Sequence, residues 1–388
     1  MPLPNGFLKT DALSIPEPEY PLSVGICQQC SLMQLVDVVN PDIMFHNYVY
    51  IPSASQTRIE NFKGIVTELT NFNPQRKNSL AVDIGSNDGS LLLEFKNIGV
   101  NVLGVDPAEN LSKIAELKGI PTLNTYFSAV VAKKMVKTYG HAHYSTATNV
   151  VAHVNDLHDF FNGIKTLLSK DGIFLCEFPY VVDLLNKNLF DTIYQEHLSY
   201  FAVRPLVQLI HQRNLKIVHI RRTPIDGGAL RIMIARDDSS YKEAATSLDE
   251  LLHLEQKLNL SNPQTYKTFG QKVKSLKKEI KKTLQTLKKK GKTIAGYGAA
   301  ARGNILMNYC HIGKREIDFI VDSTPYKQGL YTPGTHIKIF PEEKLVERRP
   351  DYVLILAWNF AEEIMQKQKE YQKLGGKFII PVPHVTIV

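Results

Sequence analysis

Cysteine is scarce: the chain of 388 residues has four, and two of them, Cys176 and Cys310, stand isolated inside apolar patterns. That scarcity argues against a disulfide framework. No run of eighteen apolar residues occurs, so no transmembrane helix and no membrane partner are expected. The opening Met-Pro-Leu-Pro-Asn-Gly lacks the basic-then-apolar order of a secretory leader, which makes the cytoplasm the expected location. What remains, 44% apolar and 22% charged residues, is the composition of a globular chain long enough for two or three domains. Acidic residues are in deficit, giving a formal charge of +8, but ten lysines fall between Lys272 and Lys292. That cluster reads as the solvated face of a helix, and no nucleic-acid partner is expected. The mild basicity left over suits an anionic small substrate such as a nucleotide diphosphate.

The stretch Ser79-Leu-Ala-Val-Asp83-Ile-Gly85-Ser-Asn87-Asp-Gly89-Ser90 is an apolar run that breaks into a glycine-spaced turn ahead of a helical pattern. Glycine lets a backbone turn sharply and approach a ligand closely. A second apolar run, Asn101-Val-Leu-Gly-Val-Asp106, ends in an acid 23 positions after Asp83, where a doubly wound fold places the carboxylate that receives ribose hydroxyls. The turn has no third glycine at the helix, which disfavours a dinucleotide whose pyrophosphate sits on helix amides. The pattern Asp83-x-Gly85-x-Asn87-x-Gly89 resembles motif I of class I S-adenosylmethionine-dependent methyltransferases. That resemblance implies that the turn packs on the amino-acid part of the cofactor, that Asp106 holds the ribose and that Asn149 closes the site. Tyr126 and Phe127, after a third strand, offer a stacking platform for adenine.

Alternating strands and helices predict a parallel sheet with helices on both faces. Ahead of it, Cys27-Gln-Gln-Cys30 is half of a tetrahedral zinc site, with His46 the nearest spare ligand; the alternative is a knuckle that no longer binds metal. Beyond the sheet, Tyr194-Gln-Glu196-His197 gathers a phenol, a carboxylate and an imidazole. Such a histidine is suited to removing a proton from a carbon acid, although a histidine satisfied on a surface turn is the competing reading. A long polar helix from about Tyr266 to Lys290 is expected as a spacer. Then comes a second nucleotide-binding pattern, Gly296-Tyr297-Gly298 with Arg302 at the helix start and the terminal acid Asp322. Gly298, Arg302 and Lys327 are candidates to hold a diphosphate; the alternative is a half that only braces the first.

Together the Cys knuckle, the Tyr-Gln-Glu-His-Leu-Ser-Tyr-Phe stretch and the Gly-Tyr-Gly-Ala-Ala-Ala-Arg-Gly-Asn and Pro-Gly-Thr-His segments resemble the sugar C-methyltransferases that act on nucleotide-linked 4-keto-deoxy sugars. The resemblance covers nearly the whole chain. It implies an α/β fold with a class I methyltransferase Rossmann-like sheet, a second Rossmann-like domain and a small knuckle region. The expected boundaries are 1–55, 56–203 and 204–388. It further implies His197 as the base, with Tyr194 and Glu196 beside it and Tyr48 and His153 in the pocket. Tyr297, Gly298, Arg302, Asn304 and Lys327 are expected to contact a nucleotide sugar, a dTDP 4-keto-6-deoxy sugar methylated at carbon 3. S-adenosylmethionine is the expected cofactor. Family members carry a further Cys-x-x-Cys ahead of the Pro-Leu-Pro-Asn-Gly segment, so zinc is expected to be lost or the start clipped. Competing functions are oxygen or nitrogen methylation, a non-catalytic nucleotide-sugar scaffold and a tandem dehydrogenase. The chain is expected to be a monomer or a homodimer.

Overall fold

The computed structural model describes residues 1–46, 48–74 and 77–388. Its largest sheet is built on the strand Leu80–Ile84, which pairs in parallel with Asn101–Val105 on one side and Ala142–Thr148 on the other. Asp83 stands opposite both Gly104 and Thr146, so the carboxyl ends of the three strands open at one edge. In spatial order the strands are Thr122–Leu123, Asn101–Val105, Leu80–Ile84, Ala142–Thr148, Leu168–Pro179, Ala229–Arg236 and Leu215–Thr223. Five are parallel, and the last two are antiparallel to their neighbours. The order reverses at Leu80–Ile84, and such a reversal leaves a crevice beyond the strand ends where ligands bind.

The division expected after residue 203 falls inside this unit. Helix Val203–Gln212 leads into strands Leu215–Thr223 and Ala229–Arg236, which complete the first sheet. The physical reason is the long apolar strand Leu168–Pro179. Its Leu175 and Cys176 need cover, and Met233 and Ile232 pair with them in register. The same pairing brings in Arg231, which is buried and donates from Nε to Glu177 at 2.8 Å, from one terminal nitrogen to Glu68 at 2.7 Å and from the other to Asn61 at 2.6 Å. Glu68 and Asn61 lie on the helix Gln56–Phe72, which starts at a Ser55 cap and buries Phe62, Ile65, Val66 and Leu69 on the sheet.

The last sheet begins only at Ile294. Its order is Ile339–Phe340, Phe319–Val321, Ile294–Tyr297, Tyr352–Ile355, Lys377–Ile380 and Thr386–Ile387, parallel except for the last pairing. The helix Pro263–Lys289 ahead of it is more than a spacer. Phe269, Val273, Leu276, Ile280, Leu284 and Leu287 recur at helical spacing and are buried, while the lysines occupy the other faces. A third, three-stranded sheet joins Val24–Ile26 and Met33–Leu35 to Ser199–Tyr200, so the small N-terminal unit is docked directly on the Tyr194–Phe201 stretch. Among the described residues no helix is long and apolar enough to cross a membrane.

Arg231→Ala is expected to cost about 3–5 kcal/mol of stability, because it strands the Glu177 carboxylate in the sheet; urea denaturation reads it, and a loss under about 1 kcal/mol would show that the network is not structural.

Candidate active site

One cavity of about 510 Å³ is walled by the strand ends of the first sheet, residues from the stretches 38–45 and 48–55, Tyr194 and His197, and the loops of the last sheet. That size falls in the range of small-molecule sites. Its floor is the glycine turn. Gly85 has φ 67°, and a Cβ there would sit 2.4 Å from Val150. Asn87, at φ 50°, donates its backbone amide to Asp106 Oδ2 at 2.8 Å and its side-chain amide to the Tyr50 carbonyl at 3.1 Å. Asp106 Oδ1 accepts from the Ala108 amide at 2.8 Å. Each carboxylate oxygen keeps accepting capacity beyond these bonds. Asp83 accepts from the Thr146 hydroxyl at 2.6 Å, and burial, together with the nearby Asp106 charge, pushes its pKa up to about 7 against that bond. Tyr126 is 40% exposed at the mouth, and Phe127 sits edge-on to Phe160 with centroids 5.5 Å apart. Gly89 does not line the cavity: it starts the helix Ser90–Asn97 at φ 74°, backed by Ala115 and Ile120.

Across the cavity His197 is buried, and its Nδ1 donates to the Thr192 carbonyl at 2.7 Å. That bond fixes the tautomer and leaves Nε2 with a free lone pair. The Tyr194 ring lies 4.0 Å from the imidazole and the His153 ring 5.0 Å, centroid to centroid. Burial, reinforced by His153, holds His197 well below the ordinary histidine pKa. Burial alone lowers His153 to about 4, and Phe45 stacks on its ring at 5.6 Å.

Glu196 departs from the expected arrangement. It does not line the cavity, and the group that orients His197 is the Thr192 carbonyl. Its Oε2 accepts from the Tyr48 hydroxyl at 2.7 Å and its Oε1 from the Asn5 side chain at 2.6 Å. Burial raises its pKa to about 7 in spite of both bonds. Tyr48 and Asn5 themselves line the cavity.

At the far end Gly298, φ 90°, passes so close to Ala357 that a Cβ would be 2.6 Å away. Tyr297 donates its hydroxyl to Glu342. Arg302 is 9% exposed, lies 5.3 Å over the Trp358 ring and has one terminal nitrogen with no partner among the described residues. Lys327 is partly engaged, donating to the Ala299 carbonyl at 3.0 Å and sitting 3.6 Å from Asp322. Asn304 is fully buried away from the cavity and donates to the Pro4 carbonyl at 2.7 Å. Asp322 accepts from the Ala299 and Thr324 amides at 2.7 and 2.8 Å, the arrangement Asp106 makes with Asn87 and Ala108.

Arg58 and Asp226, both on the cavity wall, have no binding motif around them in the sequence. Arg58 donates to both oxygens of Asp226 at 2.8 Å; Asp226 also accepts from Asn149 at 3.0 Å and from Asn359 at 3.2 Å. Burial works against this carboxylate, and Arg58 and Arg302 outweigh it, holding its pKa below the usual range. The one local sign was the Asp226-Gly-Gly turn, and a turn alone does not name its partners.

At Cys27-Gln-Gln-Cys30 the amides of Cys30 and Gln29 bond to Cys27 and lower its thiol pKa. No group of three or more potential ligands gathers among the described residues. Two thiolates alone do not complete a tetrahedral zinc site.

Family models match three consecutive stretches: a zinc binding domain over residues 1–45, a methyltransferase domain over 57–220 and a C-methyltransferase C-terminal domain over 224–383. C-methyltransferase NovU of Streptomyces niveus is 34% identical over 369 residues, 95% of this chain and 88% of its own. The chain belongs to the C-methyltransferase family. Among solved structures, an S-adenosylmethionine-dependent methyltransferase of Clostridium acetobutylicum covers 46% of this C-methyltransferase and 92% of its own chain, with 12% identity and a TM-score of 0.39. Magnesium protoporphyrin IX methyltransferase of Synechocystis with bound SAM covers 49% and 87%, with 12% identity and a TM-score of 0.36. The C-methyltransferase uses S-adenosylmethionine, and the Gly85 turn with the Asp106 cradle is chemically fit to hold it.

The imidazoles of His153 and His197 in this C-methyltransferase are both held below the ordinary histidine pKa, which favours their neutral forms. In NMR titration the ring resonances of His153 and His197 are expected to stay fixed from about pH 5.5 to about pH 8; a midpoint near the ordinary histidine value for either would contradict the site as described.

Proposed function

We propose that the enzyme methylates carbon 3 of a nucleotide-linked 4-keto-6-deoxy sugar, a dTDP sugar, with His197 as the base. The observation that supports this reading is one shared cavity: the His197 imidazole, its Nδ1 held by the Thr192 carbonyl, lines the same space as the glycine turn. The keto group at carbon 4 acidifies the proton on carbon 3. His197 Nε2 accepts that proton, the electron pair moves to an enolate, and carbon 3 becomes the nucleophile. S-adenosylmethionine supplies an electrophilic sulfonium methyl and leaves as S-adenosylhomocysteine. The imidazolium later returns its proton to solvent. Asp83, Gly85, Asn87, Asp106, Tyr126, Phe127 and Asn149 are assigned to the methyl donor. Tyr48, Tyr194 and His153 are assigned to the wall around the reacting sugar.

The loops of the last sheet support a nucleotide sugar. Arg302 brings to the cavity a buried guanidinium with one nitrogen unpaired among the described residues, which suits a diphosphate. Asp322 repeats the carboxylate cradle of Asp106 and so suits a second ribose. Lys327 supports the loop through Ala299 and shares the cavity wall. Holding both reactants in one enclosed space supplies much of the rate, since positioning removes translational freedom before the chemistry starts.

Label from S-adenosylmethionine is expected to appear on carbon in a panel of nucleotide 4-keto sugars, and label found only on oxygen or nitrogen would overturn the reading. His197→Asn is expected to lower turnover by about a hundred- to ten-thousand-fold with S-adenosylmethionine affinity by calorimetry nearly unchanged; near-normal turnover would remove His197 as the base.

A further inference from the structure

The segment Pro4-Asn5 lies between the last domain and the Tyr194–His197 stretch. Asn304 of the helix Ala301–Cys310 donates to the Pro4 carbonyl at 2.7 Å, and Leu8 bridges to Tyr331 beyond the turn. Held from that side, Asn5 reaches the cavity wall and places its side-chain nitrogen 2.6 Å from Glu196 Oε1. The other oxygen of Glu196 meets the Tyr48 hydroxyl at 2.7 Å. Glu196 is 2% exposed, so the bonds it makes in the protein decide its state and direction. We propose that Asn5 is a positioning residue of the reaction: its amide occupies one oxygen of Glu196 and thereby turns the other against the Tyr48 hydroxyl. This rests on the carbon-acid reading given above.

The consequence is a defined place for one proton. An N–H donor facing Oε1 leaves Oε2 as the oxygen that carries a proton when Glu196 is neutral. In the ionised state Tyr48 donates to Oε2. In the neutral state Oε2 donates to the Tyr48 oxygen, and the Tyr48 O–H is released toward the cavity, where it can bond the oxygen of a developing enolate. Tyr194 and Tyr50 are the other titratable groups whose charge is felt at Tyr48; burial, then Glu196, raises the pKa of Tyr194, burial raises that of Tyr50, and both stay protonated. His197, next in the chain, is turned to Thr192 and stays neutral. The remaining variable is the proton on Glu196, and Asn5 determines which oxygen takes it.

The test is infrared titration of the protonated Glu196 carboxyl band in the full chain, assigned by its loss in Glu196→Gln, with methyl transfer measured alongside. In Asn5→Ala the midpoint is expected to rise by about one pH unit, since a donor to a charged group is lost. Turnover should fall about tenfold or more, with S-adenosylmethionine affinity changed less than about twofold. Asn5→Asp keeps the shape but replaces the donor with an acceptor, and it should raise the midpoint at least as far. A midpoint unmoved in both variants would overturn the proposal, as would a shifted midpoint with turnover unchanged. Absence of carbon methylation by the unsubstituted protein would sink the carbon-acid reading by itself, because the infrared midpoint is read without substrate.

Discussion

The buried pair between Arg58 and Asp226 is the constraint on which the arrangement of the site depends. Arg58 comes from the first helix of the methyltransferase unit, and Asp226 from the turn between the two antiparallel strands. Through Asn149 the pair reaches the end of the strand Ala142–Thr148, and through Asn359 it reaches the last domain. A charge this deep is tolerated only while its partner stays in place. One interaction therefore fixes the relation between the floor of the cavity and its far wall.

Enclosure also sets the chemistry. Burial lowers the basicity of His197, which weakens it as a proton acceptor but favours an unprotonated Nε2 at neutral pH. After burial and His153, the charged groups that act on the ring are Arg302, which lowers its pKa, and Asp226, which raises it. On the proposed reading, a diphosphate paired with Arg302 removes one of the charges holding the imidazole down. Substrate binding and base strength then rise together, and Asp226 remains as the counter-charge for the imidazolium. The Thr192 carbonyl holds the place beside His197 that an adjacent acid was expected to take, and on the proposed reading Glu196 acts at one remove through Tyr48.

Much of the fold was legible because its signals are local. The Asp83 to Gly89 turn, the second strand ending at Asp106 and the repeat of that pattern from Gly296 to Asp322 each carry their own punctuation. The boundary after residue 203 was misjudged because an antiparallel pair can close either neighbouring sheet, and only the buried pairing of Ile232 and Met233 with Cys176 and Leu175 decides between them. In the helix Pro263–Lys289 the lysines dominate the sequence pattern, and the apolar stripe from Phe269 to Leu287 that packs it on the core is the weaker signal. In the site, most of the residues singled out at strand ends and turns fall on the wall of one cavity, while Gly89, Glu196 and Asn304 do not. Partnerships were not legible. Nothing in spacing says that Asn304 serves Pro4, that Asn5 reaches Glu196, or that Asp226 joins Arg58 over a separation of 168 residues.

The central claim is that His197 takes a proton from carbon while the methyl donor site stands open to the same cavity. The most direct measurement is hydrogen exchange at carbon 3 of a nucleotide 4-keto sugar in heavy water, followed by proton NMR with S-adenosylhomocysteine in place of the donor. The enzyme should exchange that hydrogen well above the spontaneous rate, and His197→Asn should not. Equal exchange in the two proteins would contradict the account.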